Sequence, residues 1–186
     1  MKELQFEGKT YIYVNNKFLN EDFSEVPTNL RKILAKVFFV VDYKTLPPYG
    51  ALEYLKEVKK AGEYKLACEI CEYLMETYPD DVNLVRGFLS IWSSSYRMLR
   101  QPAQAVKLEE YVMKNASLEN CSFYTSLAAA YCDLNDIDSA INMVKYAYAL
   151  RGWNKGNKFE LISVMKRIKS IIGDQSEFIN KALENF

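Results

Sequence analysis

Three stretches of this chain carry one side-chain pattern at one spacing, and that self-similarity constrains the fold more than any other feature. The pattern reads Ala51, Tyr54, Leu55, Val58 and then Ala67; Leu89, Trp92, Ser93, Tyr96 and then Ala105; Tyr124, Leu127, Ala128, Tyr131 and then Ala140. In every stretch the closing alanine follows the first residue by 16 positions. The first four residues stand at i, i+3, i+4 and i+7, which is one face of an α-helix. Ala61-Gly62-Glu63, Arg100-Gln101-Pro102 and Asn135-Asp136-Ile137 then supply a turn before a second helix. Each unit is thus a helix, a tight turn and a helix. One such pair cannot bury both apolar faces, so the pairs must stack into an array and end in a cap.

These residues resemble the tetratricopeptide repeat, W-x2-L-G-x2-Y, then A-x3-F, then P. The third unit matches with Tyr124, Leu127, Ala128, Tyr131, Ala140 and Val144. The first keeps Ala67, Cys71 and Pro79 but places Leu55 where a small residue is usual. The second keeps Trp92, Ser93, Tyr96 and Ala105, with an insertion and charged Glu109 where an aromatic is usual. The resemblance covers about residues 49–153 and implies a mainly α, right-handed array of helix pairs. Around it we expect three parts: residues 1–46 as a β-meander plus helix, 47–154 as three repeats, and 155–186 as capping helices. In the cap, Lys166 falls at the small-residue place of a degenerate fourth unit, a helix ends at Gly173, and Asp174 caps the last helix.

The first twenty residues differ in texture. Leu4 to Glu7, Thr10 to Val14 and Lys17 to Leu19 are short aromatic and β-branched runs, with Gly8-Lys9 and Asn15-Asn16 as turns. Tyr11 and Tyr13 face one side of the meander; Thr10, Ile12 and Val14 face the other. So small a sheet needs support, either from the helix that follows or from another chain as a homodimer contact. That helix is capped by Thr28 and carries Leu30, Ile33, Leu34, Val37, Phe38 and Val41 on one stripe. Phe39 and Val40 widen its apolar arc.

Composition removes most chemistry. The 186 residues include no His, 24 Lys plus Arg and 24 Asp plus Glu, which excludes His-based triads and imidazole metal sites. Zero net charge argues against a nucleic-acid coat or a polybasic membrane binder. The charged start and the shortness of apolar runs such as Val37 to Val41 point to a cytoplasmic protein with no membrane span. Cys68-x-x-Cys71, with no second pair, reads as buried packing, and Cys121 and Cys132 read as thiols. Asp80-Asp81 and Glu109-Glu110 read as helix-start and helix-surface charges. We expect no catalytic residue, no metal and no cofactor.

The resemblance implies that a peptide or helix of another protein binds the concave side, lined by the first helix of each pair. One, five and eight residues beyond each first signature residue stand Leu52, Lys56 and Lys59; Ser90, Ser94 and Arg97; Thr125, Ala129 and Cys132. Such a groove is basic at its N-terminal end and small and neutral in the middle, suiting an acid followed by bulky apolar side chains. Ser90, Ser94, Thr125 and Ala129 lack the later ligands of the repeats that clamp acidic chaperone tails. In length and repeat number the chain is also similar to the small chaperones of type III secretion, whose N-termini are helical instead. The rival readings are nucleic-acid association through the basic run Arg151, Lys155, Lys158, Lys166, Arg167 and Lys169 with Trp153 and Phe159, and self-assembly.

Overall fold

In the computed structural model the chain opens with an antiparallel sheet in the order β1 (Lys2–Phe6), β2 (Lys9–Val14) and β3 (Lys17–Asn20). The structure describes all residues except 16, 39–40 and 151–154, and for 36–38 and 155–157 the backbone alone. Glu7 and Gly8 make the first turn, both at positive φ (49° and 74°), as a two-residue hairpin requires. Lys9, expected in that turn, already belongs to β2. Asn15 takes φ 49° in the second turn, and its expected companion Asn16 lies outside the described residues.

Leu4 pairs with Tyr11, and Tyr13 with Phe18, so these side chains share one face of the sheet. The Tyr13 and Phe18 rings meet at 4.8 Å between centroids. They look onto Ala35 of α1 (Thr28–Phe38) and Ala61 at the end of α2 (Pro48–Ala61). Burial, aided by the nearby Glu57 carboxylate, raises the pKa of Tyr13. The aromatic face is therefore used inside the chain. Beyond β3 the chain returns, with Leu19 bridging to Glu25 and the Val26 N–H donating to the Phe18 carbonyl at 3.4 Å. On α1, Leu34 and Ala35 are buried, whereas Ile33 of the expected stripe is exposed; Val41, also expected on that stripe, is not part of the helix and is exposed. Phe39 and Val40, on which the wide arc rested, lie outside the described residues. Thr28 is the first helical residue rather than the cap, because the Pro27 carbonyl already accepts the Arg31 N–H at 2.9 Å.

The repeats follow as α2 with α3 (Tyr64–Thr77), α4 (Val82–Met98) with α5 (Pro102–Lys107) and α6 (Glu109–Lys114), and α7 (Cys121–Asp133) with α8 (Ile137–Ala149). Gly62, Arg100 and Asn135 occupy the same place in the three turns and take φ of 81°, 61° and 60°. The following residue then closes the same bond back to the helix. Glu63 N–H donates to the Val58 carbonyl at 3.2 Å, Gln101 to Tyr96 at 2.9 Å and Asp136 to Tyr131 at 3.0 Å. This is the long bond of a Schellman turn. Asp81, Asn120 and Asp136 cap α4, α7 and α8 through their side chains, which fixes where each helix starts.

The second unit departs from its neighbours. Its second helix breaks at Leu108 into α5 and α6, and Glu109 accepts the Tyr131 hydroxyl at 2.6 Å. Glu109 is thus a partner of the next repeat rather than a solvated charge. The chain closes with α9 (Lys155–Ile172) and α10 (Glu177–Glu184). Gly173, at φ 64°, sits where the other units place their left-handed residue. Lys166 is exposed and Met165 is fully buried, because an unpaired ammonium is costly to bury and the helix presents Met165 inward instead. Ser176, not Asp174, caps α10; the Asp174 carboxylate is drawn to Lys169 at 2.9 Å.

One core joins the sheet, the repeats and the last helices, and Ala67, Ala105, Ala128 and Ala140 are fully buried. Replacing Ala128 or Ala140 by Leu is expected to overpack the α7–α8 contact and cost on the order of 1–3 kcal/mol in urea denaturation. A Cβ on Gly62 would meet nothing within 4 Å, so Gly62→Ala should lose about 1 kcal/mol through its positive φ alone. An unchanged denaturation midpoint for either site would contradict the packing or the turn.

Candidate functional site

The inward stripes of α2, α4, α7 and α9 surround an open cavity of about 560 Å³. Lys59 comes from α2, and Ser90, Ser94 and Arg97 from α4. Ser122, Thr125, Ser126 and Ala129 come from α7, and Glu160, Ser163, Val164 and Arg167 from α9. Side chains from four helices converge because the Schellman turns return each chain direction by the same amount.

Six of the nine groove positions expected from the repeat register, Lys59, Ser90, Ser94, Arg97, Thr125 and Ala129, line this cavity. The other three do not. Leu52 is buried against α4, where Gly87 leaves room for it; a Cβ on Gly87 would come within 2.9 Å of Leu52 Cδ2. Lys56 pairs with Glu53 at 2.6 Å one helical turn away. Cys132 is buried behind the lining, and burial raises its thiol pKa. The expected basic N-terminal entrance therefore reduces to Lys59. The residues missed by the register reading are Ser122, Ser126, Glu160, Ser163, Val164 and Arg167. Carrying the one-and-five rule on from Ile162 points to Ser163 and Arg167, since Gly173 keeps the phase of the earlier turns.

Charge is arranged at two places. Burial lowers the pKa of Lys59, and the Glu160 carboxylate across the cavity partly offsets that. Further along, Arg97 Nε donates to Asp133 Oδ2 at 2.7 Å and Arg167 Nη1 to Asp133 Oδ1 at 2.6 Å. Burial alone would raise the Asp133 pKa. The two guanidinium hydrogen bonds outweigh it, and the carboxyl titrates below its ordinary value. Between these poles the hydroxyls turn their protons inward: Ser94 Oγ donates to the Ile91 carbonyl at 3.0 Å, Thr125 Oγ1 to that of Cys121 at 2.8 Å, and Ser126 Oγ to Ser93 Oγ at 3.0 Å. Their oxygens keep lone pairs for donors entering the cavity.

The basic C-terminal run disperses over α9. Arg167 enters the cavity, Lys169 pairs with Asp174, and Lys158 donates to the Phe186 carbonyl at 2.8 Å. Arg151 and Trp153 lie outside the described residues, as does the side chain of Lys155. Cys68 and Cys71 belong to the core; burial pushes the Cys68 thiol up to about 12 and that of Cys71 upward as well, which disfavours thiolate chemistry. Among the described residues no cluster of three or more metal-ligating side chains occurs, and no helix is long and apolar enough to cross a membrane.

Comparison with known proteins places the fold. No family model matches the chain, and neither does any curated protein. Solved structures match over most of its length. MamA AMB-1 aligns with a TM-score of 0.52 at 19% identity, covering 86% of this chain and 98% of that one. MamA MSR-1 aligns with a TM-score of 0.50 at 19% identity, covering 84% and 94%. A putative kinesin light chain of Podospora anserina, with nearly identical TPR-like repeats, aligns at 0.50 and 15% identity, covering 85% and 86%. At these identities the likeness is one of fold, a tetratricopeptide-like array of helix pairs.

The Asp133 cluster gives a pH signature. Its folded-state pKa is depressed, so its contribution to stability is present above the unfolded carboxylate value of about 4 and fades as pH falls through the folded value. Asp133→Asn should be less stable than the parent at neutral pH, with the gap closing below about pH 4. Denaturation of both proteins at the two pH values checks this; a gap that does not change with pH would contradict the depressed carboxyl.

Proposed function

We propose that the chain is a protein-protein interaction module that holds an extended segment or helix of a partner in the concave cavity, acting by binding rather than by catalysis. The observation that carries this reading is the cavity itself. Side chains from the first helices of three repeats and from α9 converge on one open surface, with cations at two places and acceptor oxygens between them. Lys59, Arg97 and Arg167 outnumber Glu160 and Asp133 by one charge there. A segment with an acidic side chain and free backbone N–H groups complements that surface: the acid meets the guanidinium pair, and the N–H groups meet Ser94, Thr125 and Ser126. The adaptor or chaperone role follows from such holding.

The groove and the basic C-terminal run are not separate sites on this reading, since Arg97 and Arg167 share Asp133. Reversing one of the two arginines disturbs the other, so a steric probe is the cleaner test. Affinity purification with mass spectrometry identifies a partner, and titration of that partner follows. Ser163 is exposed on the cavity wall; Ser163→Trp fills the space and should weaken binding at least about tenfold, or 1.4 kcal/mol. Lys56→Glu, outside the cavity, should leave affinity near the parent value. Full-strength binding by Ser163→Trp would remove the cavity as the site.

A further inference from the structure

The two edges of the N-terminal sheet are finished differently. Across the two-residue turn at Glu7 and Gly8, Phe6 and Lys9 form the hydrogen-bonded pair that closes the hairpin, and such pairs alternate along the ladder. Lys2, Leu4 and Phe6 therefore turn their backbone groups toward β2, whereas Glu3 and Gln5 turn theirs to the outer edge. The same alternation turns Phe18 and Asn20 of β3 to the opposite edge. There the chain satisfies them itself. Val26 N–H donates to the Phe18 carbonyl at 3.4 Å, Phe23 N–H to the Asn20 carbonyl at 2.9 Å, and Asn20 N–H to the Ser24 carbonyl at 2.9 Å. On the β1 edge, Glu3 and Gln5 have no backbone partner among the described residues.

An unpaired edge is a template for another strand. Nothing in β1 blocks it: the strand holds no proline, and its pairing with β2 runs without a bulge from Lys2 to Phe6. Leu4 and Phe6 stand on the aromatic face at its rim and are only half-buried, whereas Tyr11 and Tyr13, one strand further in, are buried. A strand added at this edge would extend that apolar layer over Leu4 and Phe6.

The charges of β1 select a second copy of itself. Antiparallel pairing about a two-fold axis must set outward-turned residues opposite each other. An axis at Glu3 opposes Glu3 to its own copy, and an axis at Gln5 opposes Glu3 to Glu7. Both place carboxylate against carboxylate, which is destabilising. An axis at Leu4 instead opposes Glu3 to Gln5 on both sides and Leu4 to Leu4 on the apolar face. The Gln5 amide gives one N–H to Thr10 Oγ1 at 3.0 Å and keeps the other for the Glu3 carboxylate of the copy.

We propose that two copies of the chain pair through β1 in this register, joining their sheets into one continuous antiparallel sheet. None of the pairing residues lines the concave cavity, so this contact and the partner site stand or fall separately.

Five residues a side make a small contact, and the dimer should form at micromolar rather than nanomolar concentration. Sedimentation velocity of the full chain between about 10 and 500 µM should show the mass rising from one chain to two. Amide exchange at Glu3 and Gln5 should slow at the higher concentration. Gln5→Pro removes an outward N–H while sparing the β1–β2 ladder, and it should raise the dissociation constant at least about tenfold. Cysteine cross-linking reads the register, because the native cysteines are buried. Leu4→Cys sets two thiols opposite each other across the axis, at a Cα separation of about 4.5 Å that a disulfide spans. Phe6→Cys leaves its two thiols about 13 Å apart. Diamide should therefore link Leu4→Cys chains into dimers and leave Phe6→Cys chains unlinked. Equal cross-linking of the two variants, no cross-linking of Leu4→Cys, or a dimer indifferent to Gln5→Pro would overturn the proposal. A parent chain that stays monomeric over the whole range would also overturn it, and would leave the edge to a strand of another protein. The parent's sedimentation keeps the test decisive if Gln5→Pro fails to fold.

Discussion

Everything in this fold depends on one backbone constraint repeated in phase, a left-handed residue at the end of each first helix followed by a hydrogen bond back across the turn. Gly62, Arg100 and Asn135 differ in every side-chain property, yet their φ values agree within about 20°. Because the turn is shared, each second helix leaves in the same direction, and Ala67, Ala105 and Ala140 arrive at the close contact. The stack then places the same face of every first helix toward one side. The concave cavity is a consequence of that regularity, and Gly173 extends it to the end of α9.

Where the repeat is irregular, chemistry that the pattern does not require appears. Glu109 replaces an aromatic, and the hydroxyl of Tyr131 from the next unit supplies the hydrogen bond that makes a half-buried carboxylate tolerable. Burial, with that bond, raises the Tyr131 pKa well above its ordinary value. The insertion splits the second helix into α5 and α6, and Trp92 fills part of the gap between Tyr96 and Tyr111. An outer concavity at this break is lined by α4, α5 and α6 of the middle repeat and by α3 of the first.

The repeat register was legible in the sequence because small and aromatic residues recur at fixed spacing, and the meander because its turns carry Gly and Asn. Lys59, Ser90, Ser94, Arg97, Thr125 and Ala129 line one cavity because they lie on a stripe that helical geometry defines. Leu52 and Lys56 stand off the cavity for local reasons invisible to spacing: Gly87 lets α4 settle onto Leu52, and Glu53 pairs with Lys56. The contribution of α9 was missed because that helix was read only as a cap, although the register that puts Lys166 at the small-residue place also puts Ser163 and Arg167 on the inward stripe, and the Arg97–Asp133–Arg167 cluster joins residues of three helices that no linear pattern connects.

The central claim is that a partner lies in the concave cavity. A photoreactive diazirine-bearing lysine analogue at position 59, on the cavity wall, compared with the same residue at position 65, exposed on α3, tests it directly with a purified partner. The account predicts cross-links from position 59 that are lost when unlabelled partner competes, and none from position 65. Competed cross-links from position 65 with none from position 59 would contradict it.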